Sequence, residues 1–273
     1  MKKRIILYTA MLSMALFTVS SCSDDDPPPL KLNTPNTEGN RLMSVEHAGF
    51  LPSTYDWSFS YNNARLVKAY GTYKNQMDEP YTYESTLKYG HNSLKVSSTG
   101  KDKSTLTLNE AGLISRMEVN KNTYNFKYEN SYLTEWTENV VSESFGQVTS
   151  YTSHADITYT LSGNLQEIVY TENLNYPYDY CRLTFSTTDT LNANGLLPEA
   201  ISKEMGCLGF EHLYYAGALG RGTRNLVREI TFRYPQRPEK NKTVTFQYAL
   251  RGKDVVLCSY TYEGQPASAT YKY

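Results

Sequence analysis

The sequence predicts an all-β domain: an antiparallel meander of amphipathic hairpins forming a strongly curved sheet or a large soluble barrel, with one short helical insertion. Three observations carry this expectation. The aromatic residues are skewed towards Tyr, with 25 Tyr against 9 Phe and 2 Trp. Tyr suits half-buried strands, because its ring packs while its hydroxyl keeps a polar contact. Apolar side chains recur at every second position in run after run, the period of an antiparallel strand with one wet face. Short turns rich in Asn and Gly separate those runs.

The N-terminus comes before any of these strands. Lys2, Lys3 and Arg4 form a positive head, followed by an apolar stretch from Ile5 to Val19. That stretch is shorter than the ~20 residues a spanning helix needs and fits the apolar region of a secretory signal. It runs into Val19-Ser20-Ser21-Cys22, which resembles a bacterial lipobox. The resemblance makes residues 1–21 a lipoprotein signal peptide and Cys22 the lipidation site. Several acyl chains on one Cys, each buried CH₂ contributing ~0.8 kcal/mol, would anchor the protein to a membrane without a span. Asp24, Asp25 and Asp26 resemble the surface-export signal of Bacteroidota lipoproteins, and Pro27 to Pro29 stiffen the polar segment after them. Residues 22–40 therefore read as an acidic, Pro-rich tether. The expected location is the outer membrane, lipid-anchored, with the domain on the cell surface.

A single β domain is expected over residues 41–273. Trp57, Phe59 and Tyr61 alternate with Ser58 and Ser60. Tyr81, Tyr83, Leu87 and Tyr89 alternate with Thr82, Glu84, Thr86 and Lys88. The pattern continues through Tyr124, Phe126 and Tyr128; Ile157, Tyr159 and Leu161; Ile230, Phe232 and Tyr234; and Val244, Phe246 and Tyr248. Cys258, Tyr260 and Tyr262 extend it, and Tyr271 with Tyr273 closes the chain. Helical spacing fits none of these runs.

The connections repeat as well. Tyr61-Asn-Asn-Ala-Arg-Leu66, Tyr89-Gly-His-Asn-Ser-Leu94, Leu108-Asn-Glu-Ala-Gly-Leu113, Tyr128-Glu-Asn-Ser-Tyr-Leu133 and Leu191-Asn-Ala-Asn-Gly-Leu196 share one plan. A strand ends on an apolar residue, a polar turn comes next, and a Leu returns to the apolar face. These units are similar to the YD-type hairpins of bacterial repeat shells. Together with the lipobox and the segment Leu213-Tyr-Tyr-Ala-Gly-Ala-Leu-Gly220, the chain from about Arg41 to Tyr273 resembles a Bacteroidota family of uncharacterised lipoproteins described as having a porin-like fold. That resemblance implies a barrel-like domain and brings no catalytic residues with it.

Pro198 to Gly222 breaks the alternation. Pro198 near its start and Gly206 after Met205 predict one short helix between them, and Phe210 to Ala218 could hold a second. A closed barrel of roughly fourteen to sixteen strands leaves a lumen that wall side chains cannot fill. This apolar insertion is the segment expected to pack against the apolar face and plug it.

No residue pattern specifies a reaction. Cys181 and Cys258 lie in phase with apolar neighbours and Cys207 sits in the insertion, so all three read as buried thiols, with at most one disulfide. None has zinc-ligand spacing. The histidines, His47, His91, His154 and His212, lack neighbouring ligands. His91 falls in a turn, and His154 shares a strand face with Asp156, as an exposed polar pair. Asp78 and Glu79 point to opposite faces of an extended segment and make a poor acid–base pair. Asn241-Lys-Thr243 matches a glycosylation sequon and Asp189-Thr190-Leu191 loosely resembles an O-glycosylation motif. Neither decides anything.

The formal net charge of −1 gives no reason to expect nucleic acid. No catalytic residue, metal ligand or cofactor is expected, and no ligand-binding residue can be named. The expected role is a non-enzymatic module that binds a glycan or another ligand. The alternatives are a structural or accessory subunit of an envelope complex, a porin-like transmembrane barrel, and an enzyme with carboxylates brought together from distant positions. A membrane barrel would need a lipid-facing apolar band, whereas here the polar faces would have to line the lumen throughout. A water-soluble domain with its aromatic face turned inward is expected instead.

Overall fold

The computed structural model describes residues 38–49, 55–74, 80–90, 93–98, 103–144 and 147–273. The expected signal segment, Cys22, most of the expected tether, Asp78, Glu79 and His91 lie outside them. The strands are β1 (Ser44–Ala48), β2 (Asp56–Asn62), β3 (Arg65–Lys74), β4 (Pro80–Tyr89), β5 (Ser93–Ser98), β6 (Lys103–Leu108), β7 (Ile114–Val119) and β8 (Asn122–Glu129). They continue as β9 (Tyr132–Ser144), β10 (Gln147–Tyr159), β11 (Leu165–Thr171), β12 (Tyr180–Leu191), β13 (Asn225–Arg233), β14 (Lys242–Arg251), β15 (Asp254–Tyr262) and β16 (Gln265–Lys272). Each pairs antiparallel with its neighbours in sequence, and β1 pairs with β16 through Val45 opposite Tyr271. The sheet is a closed sixteen-strand barrel, so the closed alternative holds and no strand edge is left for pairing with another chain.

The two-residue period sorts the wall into two faces. Trp57, Phe59, Leu87, Leu94, Leu106, Met117, Phe126, Trp136, Ile157, Ile168, Leu183, Phe232 and Phe246 are buried on the inside. The outside is polar and carries ion pairs between adjacent strands: Lys68 with Glu84 at 2.9 Å, Lys127 with Glu135 at 2.8 Å and Arg182 with Glu167 at 2.5 Å. A Lys or Arg facing hydrocarbon costs ~2–4 kcal/mol at mid-membrane. Among the described residues the outer wall therefore suits water and shows no continuous lipid-facing apolar band.

The repeated turns all lie at one end, the near rim. There Asn63 and Ala64, and again Asn130 and Ser131, take positive φ at both central positions. That conformation matches the right-handed twist of a two-residue hairpin. Each repeat also explains its Tyr. The hydroxyl of Tyr61 donates to the carbonyl of Leu42 at 2.9 Å, Tyr89 to Leu66 at 2.9 Å and Tyr128 to Ile114 at 2.8 Å. Tyr248 donates to Val227 and Tyr273 to Val255, both at 2.8 Å. The ring covers the apolar rim while the hydroxyl donates to a backbone carbonyl at or near the start of the preceding strand. Arg41 lies over the Tyr61 ring and Arg65 over the Tyr89 ring, at 4.8 and 5.4 Å.

The segment between β12 and β13, residues 192–224, enters the lumen from the near rim and returns to it. Leu196, Leu197, Ile201, Met205, Cys207, Leu213, Tyr214, Ala218 and Leu219 are buried against the wall. Its two ends are sewn to the rim: at the first the amide of Gly39 donates to Ala193, and at the second the amide of Ile114 donates to Ala218, that of Arg221 to Ser131 and that of Arg224 to Gly163. Two local expectations fail. The helix is α1 (Glu211–Tyr215), whereas residues 199–205 form a chain of turns. Ala200 sits at φ 68°, a left-handed conformation that interrupts a right-handed helix as it begins. Leu161, expected to face inward, is fully exposed. β10 ends at Tyr159, and a turn closed by Gly163 N donating to Thr160 O at 2.9 Å carries Leu161 outward.

Candidate functional site

The turns at residues 199–209 carry the plug to its far tip, where Lys203 and Leu208 are exposed. Wall strands rise around this tip and leave two cavities, one on each side of it. The first, about 230 Å³, lies between the plug and β1, β2 and β15. Its wall side is Val45, His47, Tyr55, Trp57 and Tyr262, and its plug side includes Glu199, Ser202, Glu204, Glu211 and Tyr215. The second, about 180 Å³, faces β8 to β11 through Tyr124, Trp136, Glu138, Tyr151, Ser153 and Tyr170. Lys203 and Leu208 border both. The two wall sectors lie on opposite sides of the sixteen-strand ring.

Charged groups hold the plug in register with the wall. His47 Nδ1 lies 3.1 Å from Asp56 Oδ1 and its Nε2 3.2 Å from Glu199 Oε2. Glu199 also accepts from Tyr271 OH at 2.6 Å. Burial alone would push the His47 pKa down, but the Glu199 charge and the hydrogen bonds that the imidazole donates to both carboxylates outweigh it and hold the imidazole up to about 10. Burial likewise acts to raise Glu199, and the charge of His47 together with the hydrogen bonds from His47, Tyr271 and Tyr260 overcomes it, so its pKa falls below the usual carboxylate range. The result is a buried ion pair between β1 and the plug. A His47 held protonated at neutral pH is poorly suited to act as a general base there.

Two other plug carboxyls behave oppositely. Glu211 accepts hydrogen bonds from Trp57 Nε1 and Gly209 N, each at 3.2 Å, yet burial pushes its pKa up to about 7. Burial does the same to Glu204, also to about 7. Both titrate close to neutral pH beside an aromatic wall in which Tyr55 stacks on Trp57 with centroids 5.4 Å apart. His212, on α1, is buried and pushed down to about 3 by desolvation, so it is neutral. Its Nε2 lies 3.3 Å from Ser85 Oγ and its ring 4.8 Å from that of Trp57. In the second cavity Trp136 Nε1 donates to the carbonyl of Glu204 at 2.9 Å, and Tyr124 OH donates to Glu138 Oε1 at 2.5 Å. Lys203 reaches across to Glu172 at 3.0 Å.

The residues singled out from sequence fall elsewhere or into supporting roles. Cys181, Cys207 and Cys258 are buried free thiols, and burial pushes all three upward, Cys181 to about 11. His154 pairs with Asp156 at 3.1 Å on the outer wall. Asn241 is used in a turn, accepting the amide of Tyr234 at 2.7 Å. Among the described residues no three His, Cys, Asp or Glu side chains group so as to hold a metal ion. The sequence reading missed the role of His47 and overlooked Glu199, Glu204 and Glu211 as site residues. The available signal was three carboxylates inside an otherwise apolar insertion, where each must find a partner or hold a proton.

A family described as a domain of unknown function (DUF4595) with porin-like fold matches residues 59–257. Among solved structures, the chain is similar to a porin-like protein from Bacteroides uniformis ATCC 8492. That match has a TM-score of 0.65 and 19% identity, covering 88% of this chain and 99% of that one. A porin-like protein from Bacteroides vulgatus ATCC 8482 is similar at a TM-score of 0.50 and 10% identity, over 86% of this chain and 99% of that one. At these identities the likeness is one of fold. No curated protein matches.

Proposed function

We propose that this chain, which belongs to the DUF4595 family of porin-like domains of unknown function, is a surface-displayed lipoprotein whose plugged barrel binds a glycan without chemically altering it. The observation that carries the reading is the first cavity. It is a concave site whose wall presents the half-buried rings of Tyr55 and Tyr262, backed by the buried Trp57, with carboxyl groups along its edge, the combination that stacks on a sugar ring and hydrogen-bonds its hydroxyls. The porin-like fold is compatible with an outer-membrane location. Cys22 supplies the anchor in this reading, and the polar outer wall leaves the barrel in water beside the membrane. Replacing Cys22 with Ser should release the protein from the membrane fraction; material still pelleting with membranes after a high-salt wash would refute the anchor.

Binding is tested on the released Cys22→Ser chain against an immobilised glycan array, with calorimetry on any hit. Binding that weakens in Tyr55→Ala supports the reading, and no glycan bound at millimolar concentration overturns it. A second reading is favoured by one observation. The same cavity holds an ionised carboxylate, Glu199, and two carboxyls that titrate near 7, a separation that acid–base catalysis exploits. Against it, Glu199 is already engaged by His47 and Tyr271. Release of reducing sugar from a bound oligosaccharide, lost in Glu204→Gln or Glu211→Gln, would favour the enzyme.

A further inference from the structure

We propose that the two cavities are halves of one site, and that its ligand is an extended oligosaccharide lying across the plug tip. The proposal rests on the glycan-binding reading and adds to it the length of the ligand and a second half-site. Each half has the same chemistry: aromatic rings on the wall, a carboxylate beside them and the plug as floor. In the first half the half-buried ring is Tyr55, backed by the buried Trp57. In the second it is Tyr151, backed by the buried Tyr170, with Glu138 beside them.

The divider between the halves is low and yielding. Leu208 is 39% exposed at the tip and offers an apolar edge to the face of a sugar ring. Lys203 bridges to Glu172 at 3.0 Å, with its ammonium 5.4 Å from the centre of the Tyr170 ring. Both partners of that ion pair are largely exposed, and such pairs contribute little to stability. A hydroxyl-rich chain can therefore displace the pair and take over its donors and acceptor. The turns that form the tip have their backbone tied down by Met205 N to Ile201 O and Cys207 N to Ser202 O, at 3.0 and 2.9 Å. The tip is thus a fixed saddle over which a chain can lie.

Two half-sites joined by one ligand behave as linked binding events: the second contact is intramolecular once the first is made. The Cys22→Ser chain is titrated with neutral gluco-oligosaccharides of one to six units in α-1,4, β-1,4 and β-1,3 linkage. In at least one linkage the expected affinity rises at least tenfold between two units and the longest members. Tyr151→Ala should lower the affinity for the six-unit ligand at least fivefold and leave that for the two-unit ligand unchanged if the short ligand sits in the first half. Tyr55→Ala should weaken both. Circular dichroism on each variant checks that the barrel is intact. Equal affinities for two and six units, or a Tyr151→Ala variant that binds the long ligand normally, overturn the two-half site while leaving the glycan reading standing. Failure of every length to bind overturns both.

Discussion

Replacing Glu211 with Gln should change how the stability of this barrel depends on pH, and should do so with a change of sign. Burial raises the Glu211 carboxyl from 4.5 to about 7 in the folded protein. A carboxyl whose folded pKa exceeds its unfolded one binds its proton more tightly in the native state. Its contribution is complete below pH 4.5 and is lost as pH rises to 7. At 1.36 kcal/mol per unit, that loss comes to about 3 kcal/mol. Gln stays neutral at every pH, so it avoids the loss. It also offers one acceptor oxygen where the carboxyl group places two, against Trp57 Nε1 and Gly209 N, at a cost of about 1 kcal/mol. The variant should then be about 1 kcal/mol less stable than the parent at pH 4.5 and about 2 kcal/mol more stable at pH 8. Urea unfolding monitored by tryptophan fluorescence reads this directly, because Trp57 and Trp136 are both buried against the plug. A stability difference between variant and parent that is the same at both pH values would refute the neutral Glu211.

Glu199→Gln removes one partner of a buried ion pair and leaves His47 charged beside Asp56 alone. The expected cost is about 3–5 kcal/mol at pH 7, and the stability of the parent should fall in acid as Glu199, held below its ordinary range, takes up a proton; urea unfolding between pH 3 and 7 checks both. Gly206→Ala places a Cβ within 2.7 Å of the Trp136 ring at φ 67°. It should destabilise by at least about 1–3 kcal/mol and shift the tryptophan emission, whereas Gly252→Ala, with nothing near it, should leave that emission unmoved. Tyr128→Phe keeps the ring and loses the hydrogen bond to Ile114, for about 1 kcal/mol in the same assay, against no change for the exposed Tyr176→Phe.

The wall was legible in the sequence because its two determinants are local. Alternation fixes which side chain of a strand faces in, and paired positive-φ residues such as Asn130 and Ser131 fix where the strand turns back. The strands β2, β8 and β14 can each be read from a short alternating run. The plug is different. Its path is set by contacts with residues far away in sequence, such as Gly206 under Trp136 and Glu211 against Trp57, and no local pattern announces them. The turns at 199–205 read as helix because their composition is helical, but packing places Ala200 in a left-handed conformation. The site shares this obscurity. His47 looks like an isolated histidine until the plug brings Glu199 to it across 152 residues.

The barrel reverses the polarity of a membrane pore, and that reversal confines where a ligand can bind. In a spanning barrel the apolar faces point to lipid and a polar lumen carries water. Here the Tyr, Leu and Trp faces point inward, so a sixteen-strand lumen left open would expose a wide apolar surface to water. The insertion between β12 and β13 removes that surface. Its ends are fastened to the near rim by backbone hydrogen bonds, and the rim itself is covered by tyrosine rings whose hydroxyls are engaged by carbonyls. These contacts close the near end and leave the two cavities at the far end, on either side of the plug tip. The polar groups at that level are therefore not incidental to the fold: Glu204 and Glu211 stand at the boundary between the filled lumen and water, with their protons held by burial. A ligand that covers the mouth would shut out the water that still reaches Glu204 and raise its proton affinity. Glycan binding at the mouth should accordingly take up protons near pH 7, a signature that calorimetry in buffers of different ionisation enthalpy would measure and that binding to the outer wall would lack.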